Sequence, residues 1–345
     1  MRTRTKGALK LVGLCLVVAP TLTTGTTTAA FTSRATDAAN SFTAEPDWVG
    51  PPVNGAMLQK TEGYTGGFLR TGGTYRIYAN IGPDSGNPAA GIATVTANVS
   101  GLTTGQTAVV LSTSGGPWTV NGVSYAYRNA SDLTAGTLAN VNYVYSVTAT
   151  DADTPTGNFK SVNFNVTGDV TRPNDIAINS TNGGSIVGRM EQGDTLVLTF
   201  DEPIEPQTIL AGWDGTSTNV VVRVTNGTGG GPANNDHIEI WDAASTTQLP
   251  LGRVRTGSNG YITAPATYGT FGLAGSATLS TMVLTSSTTL TFTFGTAAGT
   301  YATIGNASMT WRSGDSPSAG VIIDRAGNTV TAGNLAESGA SDPNF

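Results

Sequence analysis

The clearest candidates for chemistry in this sequence are acidic residues beside predicted strands. Asp151 and Asp153 alternate directly after one such strand, and Asp84 stands in the turn Gly82-Pro-Asp-Ser. Carboxylate oxygens from two loops at one end of a β-sandwich are ligands that Ca²⁺ accepts. The full EF-hand pattern is missing, and acids in ordinary surface turns are the alternative interpretation. The sequence therefore offers Asp84, Asp151 and Asp153 as candidates for a structural calcium site, with Asp324 and Asn328 as a second candidate pair, and it indicates no other cofactor.

A second acidic group has the residue types of a glycosidase. Asp201-Glu202 and Glu205 could supply a general acid and a general base, and Asp242 extends the set that a hydrolase cleft would need. Two prolines interrupt the segment, however, and acids in a Phe-Asp-Glu-Pro strand end typically accept local backbone hydrogen bonds. We therefore predict no catalytic residues and a protein that is not an enzyme, with a secreted hydrolase as a less favoured alternative.

Histidine and tryptophan are the remaining residue types that could bind a ligand. His237 shares one face of an alternating strand with Glu239 and Trp241. Exposed aromatic rings stack on sugars, so a carbohydrate-binding module is an alternative function, and it predicts an exposed row of Trp and Tyr. Packing in the core or at a sheet edge is the ordinary expectation for these rings. The tryptophans in question are Trp118, Trp213, Trp241 and Trp311.

Composition excludes several classes of protein. A single His and a single Cys among 345 residues cannot form a Cys/His metal cluster, nor a His-based triad together with a zinc site. Charged residues make up 12% of the chain, about half the usual quarter. The 17 basic residues form no cluster for phosphate binding, so we expect no nucleic-acid partner. A composition rich in Thr and Gly favours strands and turns over helices.

The first 30 residues have the features of a secretory signal peptide. Four basic residues accompany the apolar stretch Leu9–Val18, which is too short to span a bilayer, and Ala29-Ala30 supplies small residues for cleavage. Removing this leader takes four of the 17 basic residues, none of the 23 acidic residues, and the lone Cys15. We expect a secreted or cell-surface protein with a net charge near −10, no cysteine and no transmembrane anchor in the mature chain.

The region around the cleavage site carries the first resemblance to a known family. The stretch AAFTSRATDAANSFTA, from Ala29 to Ala44, resembles the start of camelysin and of TasA-type biofilm fibre proteins. The resemblance implies cleavage between Ala30 and Phe31. The freed segment from Phe31 to Ala44 is then a candidate extended strand, which could add to the sheet edge of a neighbouring molecule. The resemblance stops before Trp48.

Ten runs of β-branched and aromatic residues predict strands, five on each side of the turn Gly168-Asp-Val-Thr-Arg-Pro-Asn174. Short strands at this spacing, separated by Gly, Pro, Asn and Asp, indicate antiparallel sandwiches. We predict an all-β fold of two tandem Ig-like β-sandwich domains, residues 51–168 and 169–345, after a signal peptide (1–30) and an N-terminal segment (31–50). The predicted strands are 74–80, 93–99, 107–112, 142–150, 161–166, 195–200, 219–225, 237–241, 281–285 and 289–294.

Both halves resemble domains of bacterial surface proteins. The run from Gly136 to Asp151, GTLANVNYVYSVTATD, is similar to the penultimate strand of bacterial Ig-like modules. The second half resembles S-layer Ig-like domains, through a Gly193-Asp194 opening that leads to Phe200-Asp-Glu-Pro and a late Asp324-Arg-Ala-Gly-Asn turn. Together the resemblances imply a non-enzymatic structural or adhesion protein of the cell surface or biofilm matrix. Its expected partners are cell-wall or surface glycans, or copies of itself.

Overall fold

The fold is that of a computed structural model. The structure describes residues 48–345 except 62–64, 86–88, 154–156, 228–234, 264 and 316–320. The signal peptide, the cleavage site at Ala30 and Phe31, and the segment Phe31 to Ala44 lie outside the described residues. Within them the fold is nearly all β, with one 3₁₀ turn at Pro206–Thr208. No helix of this described part is long and apolar enough to cross a membrane.

The strands before residue 170 form one nine-stranded sheet and a small hairpin. Along the sheet the order is β1-β3-β8-β5-β4-β10-β11-β2, and β9 pairs with β3. The hairpin consists of β6 and β7. The strands are β1 (Val53–Lys60), β2 (Phe68–Leu69), β3 (Thr74–Ile81), β4 (Ile92–Asn98), β5 (Val109–Ser112), β6 (Trp118–Val120), β7 (Val123–Tyr125), β8 (Tyr127–Asn129), β9 (Leu133–Thr134), β10 (Asn142–Asp151) and β11 (Phe159–Gly168).

Alternating side chains give this first sheet one buried face. On β10, Tyr145 and Val147 point into the core, whereas Val144 between them is exposed. Because successive side chains of a strand point to opposite faces, the sequence alternation determines which face is buried. The neighbouring strand β11 follows the same register, and its Phe164 packs on Tyr145 with ring centroids 5.8 Å apart.

The last strand of this sheet leaves most of one edge without a partner. β11 pairs with β10 from Phe159 to Thr167. On its other side β2 meets it only at Thr167 and Gly168. Among the described residues, the edge from Phe159 to Val166 is therefore hydrogen-bonded to no strand, although β1 lies near β11.

The strands after residue 174 form a second, eleven-stranded sheet. The order is β12-β13-β19-β18-β14-β15-β16-β21-β22, and β17 joins β14 and β20 off this path. The strands are β12 (Asp175–Thr181), β13 (Thr195–Phe200), β14 (Thr218–Thr225), β15 (His237–Asp242), β16 (Arg253–Arg255), β17 (Tyr268–Phe271), β18 (Ser280–Ser286), β19 (Thr289–Thr293), β20 (Ala297–Ala298), β21 (Thr310–Arg312) and β22 (Leu335–Ala336).

An aromatic core fills the space that the second sheet encloses. Phe271 stacks on Tyr301 with ring centroids 4.6 Å apart. Phe200 meets Trp311 edge to face at 5.2 Å. Trp311 is fully buried, and its indole N–H donates to the Leu251 carbonyl at 2.8 Å. Burying the indole therefore leaves no polar group without a partner.

All ten predicted strands are present, with ends that differ by at most two residues. The sequence missed strands whose pattern is short or polar. β1, with the sequence VNGAMLQK, carries Gly, Asn, Gln and Lys, and β12 (DIAINST) is also mostly polar. β16 and β21 are three-residue strands that contain arginine. Only pairing with a neighbour makes such segments strands, because their own β-propensity is weak.

Candidate functional site

The three predicted calcium ligands order their own loops. Asp84 accepts a hydrogen bond from Ala90 N at 2.7 Å. Asp151 Oδ1 accepts from Asn158 N at 2.7 Å and from Asp153 N at 3.2 Å. The two loops lie at the same end of the first sheet, because Ala152 N donates to Gly91 O at 3.0 Å.

A different set of carboxylates forms a close group. Among the described residues, the group of three whose ligand atoms all lie within 4.8 Å of one another is Asp169, Glu202 and Asp324. Asp84, Asp151 and Asp153 do not form such a group. Asp151 is 1% exposed, and its Oδ2 is buried without a hydrogen-bond partner. Asp151 is therefore a buried carboxylate that has one oxygen without a hydrogen-bond partner.

The acidic junction, which we define as Asp169, Glu202 and Asp324, lies where the two sheets meet. Asp169 directly follows β11 of the first sheet, and Glu202 follows β13 of the second. Asp324 belongs to the late Asp-Arg-Ala-Gly-Asn turn, whose Asn328 donates to Asp169 O at 3.0 Å and to Asp324 Oδ2 at 2.8 Å. The two segments that carry the S-layer resemblance thus meet at the end of the first sheet.

Backbone amides donate hydrogen bonds to Asp324 of the acidic junction but not to Glu202 Oε2. Asp324 Oδ1 accepts from the amides of Ala326, Gly327 and Asn328 at 2.7, 2.6 and 2.8 Å. Glu202 Oε2, in contrast, is buried without a hydrogen-bond partner. Burial, followed by the charges of Asp169, Asp201 and Asp324, raises the pKa of Glu202. Burial also raises the pKa of Asp169. Three clustered carboxylates supply the oxygen ligands that a hard cation such as Ca²⁺ prefers. For Asp324 a structural role is also sufficient, because its carboxylate accepts hydrogen bonds from the amides of its own turn.

The carboxylates of the hydrolase alternative each have different partners. Asp201 accepts from the backbone amide and side-chain amide of Asn174 at 2.7 and 2.8 Å. Glu205 lies 3.6 Å from Lys60 Nζ. Asp242 accepts from the amides of Thr246 and Thr247 at 2.7 and 3.1 Å. Only the contacts of Asp242 are local in the sequence, since Asn174 and Lys60 belong to other segments of the chain.

The tryptophans form no exposed row among the described residues. Trp213 and Trp311 are buried in the core of the second sheet. Trp118 and Trp241 are half-buried, and an arginine covers each ring: Arg128 at 4.3 Å from the Trp118 centroid and Arg223 at 3.7 Å from that of Trp241. The aromatic sugar platform expected of a carbohydrate-binding module is therefore not formed by these four residues.

The structure shows a group that the sequence reasoning missed. The outer face of the second sheet carries four arginines on the three strands β14, β16 and β21, which we call the arginine face. In the strand register Arg223 lies opposite Glu239, and Arg253 lies opposite Arg312. Arg255 lies opposite His237. The Arg-Val-Arg alternation of β16 was the available signal, but only the register shows that arginines of three strands share one face. The four residues are Arg223, Arg253, Arg255 and Arg312.

Comparisons with known proteins leave the family of this chain open. No protein-family model matches it. No match is found among curated proteins or among solved structures.

Proposed function

We propose that this protein is a secreted, non-enzymatic structural or adhesion protein of the cell surface or extracellular matrix. In this proposal it consists of two Ig-like sandwich domains that assemble by strand addition, with the N-terminal segment Phe31 to Ala44 as the added strand. Carbohydrate binding is the alternative from a different class. One observation supports the assembly mechanism most directly, namely the free edge of β11.

An unpaired strand edge is a template for another chain. The edge of β11 runs for eight residues, Phe159 to Val166, without a strand partner in the described part of the protein. Proteins usually blunt such edges with charge, proline or bulges. This edge has a single charged residue, Lys160, and Phe159 beside it is 68% exposed. An extended peptide could satisfy the backbone groups of this edge almost regardless of its own sequence.

The N-terminal part of the described chain lies next to this edge. A Cβ atom built on Gly50 would lie 2.4 Å from the Phe159 carbonyl carbon and 2.6 Å from its Cα. The backbone that leads into β1 therefore passes directly against the first residue of β11, an approach that only glycine allows.

Electron microscopy and sedimentation velocity of the mature chain, beginning at Phe31, test the proposal. We expect polymers from this chain and none from a chain that lacks residues 31–46. Asn163→Lys should also abolish or shorten the polymers, because a lysine on the free edge disfavours strand pairing. Equal polymerisation with and without residues 31–46, or none in either sample, would contradict the assembly mechanism.

Thr94→Lys is the matched control for the edge variant. Thr94 is exposed on the same outer face of the first sheet, but its strand β4 has neighbours on both sides. We expect Thr94→Lys to polymerise normally. Loss of polymers in both lysine variants would indicate an effect of surface charge and not of the edge. Fractionation of cells, wall and medium tests the proposed location independently.

A further inference from the structure

The arginine face is positively charged on a protein with an excess of acids. Beyond Ala30 the chain has 13 basic and 23 acidic residues. Four of those basic residues lie on this one face, opposed by two acids that contact them, Glu239 and Asp315. A local excess of positive charge attracts anions over a distance of about one Debye length, roughly 8–10 Å at physiological salt.

Both carboxylate oxygens of Glu239 already have partners, so Glu239 does not neutralise the other arginines of the face. Glu239 Oε1 accepts from Arg253 Nε at 2.7 Å and lies 3.4 Å from His237 Nε2. Its Oε2 accepts from the Trp241 indole N–H at 3.3 Å. Although burial acts to raise the pKa of Glu239, these hydrogen bonds and charges hold it below its usual value. Glu239 is therefore an ionised, internally paired residue.

Arg223 is fixed next to Glu239 by aromatic rings. Its guanidinium carbon lies 3.7 Å from the Trp241 ring centroid and 4.8 Å from that of Tyr268. Nη2 donates to Ser245 Oγ at 3.0 Å. No carboxylate is among these contacts. The guanidinium thus keeps its full positive charge while the rings hold its position.

At the other end of the face, two guanidiniums share one carboxylate oxygen. Arg255 Nη2 and Arg312 Nε lie 3.4 and 3.3 Å from Asp315 Oδ2. Both distances exceed the usual length of a charged hydrogen bond, about 2.7–2.9 Å. Among the described residues, Asp315 is one carboxylate shared by two guanidiniums.

A cavity opens beside this pair. It has a volume of about 590 Å³ and is lined by Arg255 and Arg312 together with asparagine, serine, threonine and small residues. No carboxylate is among the described residues that line it, although Asp315 contacts both arginines from outside the lining. Asn306 and Asn334 offer amide donors and acceptors, and Ser308 offers a hydroxyl. The cavity thus combines guanidiniums for an anion with neutral polar groups for hydroxyls, in the size range of small-ligand sites, about 300–1,000 Å³.

From this combination we propose that the cavity at Arg255 and Arg312 binds an anionic sugar unit of an acidic polysaccharide. A guanidinium pairs with a carboxylate or a phosphate through parallel N–H donors. Uncharged Asn and Ser side chains suit the hydroxyls of the same unit. The rest of the arginine face would attract further charges along the polymer. The inference rests on the proposed adhesive function and specifies its ligand by chemical class.

Binding to defined polymers tests the inference. The full mature chain is run in native gels that contain polygalacturonate, poly(glycerol phosphate), neutral dextran or double-stranded DNA. We expect retardation by one or both of the first two polymers, which distinguishes a carboxylate ligand from a phosphate ligand, and none by dextran. Retardation by DNA equal to that by the polysaccharides would overturn the glycan assignment.

Three substitutions test the location. Arg312→Gln should weaken binding about tenfold, the effect of losing one charged hydrogen bond. Arg172→Gln, an equal charge change at an exposed residue between the two sheets, should leave it unchanged. Asp315→Asn should strengthen binding a few-fold, because it removes the carboxylate that competes for both guanidiniums. A gain of affinity cannot result from a damaged fold.

Unchanged binding in a folded Arg255→Gln/Arg312→Gln variant would overturn the location. The polymerisation assay keeps the two proposals separate. Polymers that form without polysaccharide binding would contradict only the inference about the cavity. Binding by a chain that never polymerises would contradict only the assembly mechanism.

Discussion

Lys60, the last residue of β1, lies 3.6 Å from Glu205, which directly precedes the 3₁₀ turn after β13, and their side chains are only 4% and 3% exposed. The ammonium also donates to Thr65 O at 3.2 Å and to the Arg325 carbonyl. Glu205 Oε2 accepts from Thr65 N at 3.2 Å. Charges this deeply buried are tolerated only when they are paired and hydrogen-bonded. The ion pair therefore links the two halves of the chain, as does the hydrogen bond from Asn328 to Asp169 O.

We expect Lys60→Met to lower the free energy of unfolding by about 3–5 kcal/mol, because the buried Glu205 carboxylate loses its counter-ion. The double variant Lys60→Met/Glu205→Gln should recover part of this loss, since it leaves no unpaired charge. Urea denaturation of Lys60→Met, Glu205→Gln, the double variant and the wild type gives a double-mutant cycle for the pair. Strictly additive losses would show that the two side chains do not interact.

Asp175 predicts a pH dependence of stability. Its Oδ1 is buried without a partner, and its Oδ2 accepts from Ser313 Oγ. Burial raises the pKa of Asp175 from 3.8 to about 6, with a smaller opposing effect of Ser313 and a further increase from Asp201. The folded state therefore binds the proton of Asp175 more tightly than the unfolded state does. The stability that the protonated carboxyl contributes is lost as the pH rises from about 4 to about 6.

The variant Asp175→Asn should escape this loss, because an amide does not ionise. We expect its melting temperature to exceed that of the wild type by a few degrees at pH 7, and the difference to shrink at pH 4. Calorimetric scans at the two pH values measure it. Asp132→Asn, which removes an exposed acid paired with Arg76, should show no such gain at pH 7. An Asp175→Asn difference that is equal at both pH values would exclude the proton linkage.

We expect the removal of the Asp194 carboxylate to destabilise the fold. It is fully buried and accepts from the amides of Gly183, Gly184 and Glu191 at 2.9, 3.1 and 2.7 Å. Asp194→Ala leaves three amides of a tight loop without their acceptor. We expect a loss of at least about 2–3 kcal/mol, because hydrogen bonds to charged groups contribute about 1.5–3 kcal/mol each.

The control for this loop is Asp214→Ala. Asp214 also accepts a local bond, from Thr216 N at 3.0 Å, but it is exposed. We expect a loss below about 1 kcal/mol there, since water replaces the lost acceptor. Guanidinium denaturation measures both variants. An Asp194→Ala loss as small as that of Asp214→Ala would contradict the structural role assigned to the buried carboxylate.

Much of the β architecture was readable in the sequence, and the reason is local. Strands such as β10 and β14 alternate or carry β-branched runs, so a window of a few residues contains the signal. Asp242 accepts hydrogen bonds from Thr246 and Thr247 in its own turn. Asp201, in contrast, accepts from Asn174, 27 positions away in the sequence, which the pairing of β12 with β13 brings close. The polar strands β1 and β12 escaped detection, since their conformation depends on partners that are distant in sequence.

Site prediction was weaker for a related reason. The sequence grouped Asp84, Asp151 and Asp153 by proximity to predicted strand ends, whereas the close group of carboxylates comprises Asp169 and Asp324, which are 155 positions apart, together with Glu202. The arginine face depends in the same way on the pairing of β14, β15, β16 and β21. Such groups arise from register and sheet order, which no local pattern contains.

The sequence by itself determined the all-β character of the protein, its predominantly acidic charge and the positions of its best-patterned strands, because composition and side-chain alternation act over short stretches of chain. Only the tertiary structure decided which charges meet. It paired Lys60 with Glu205, gathered three carboxylates where the sheets join, and placed arginines from neighbouring strands beside a cavity. These relationships follow from packing, which brings residues together without regard to their separation along the chain.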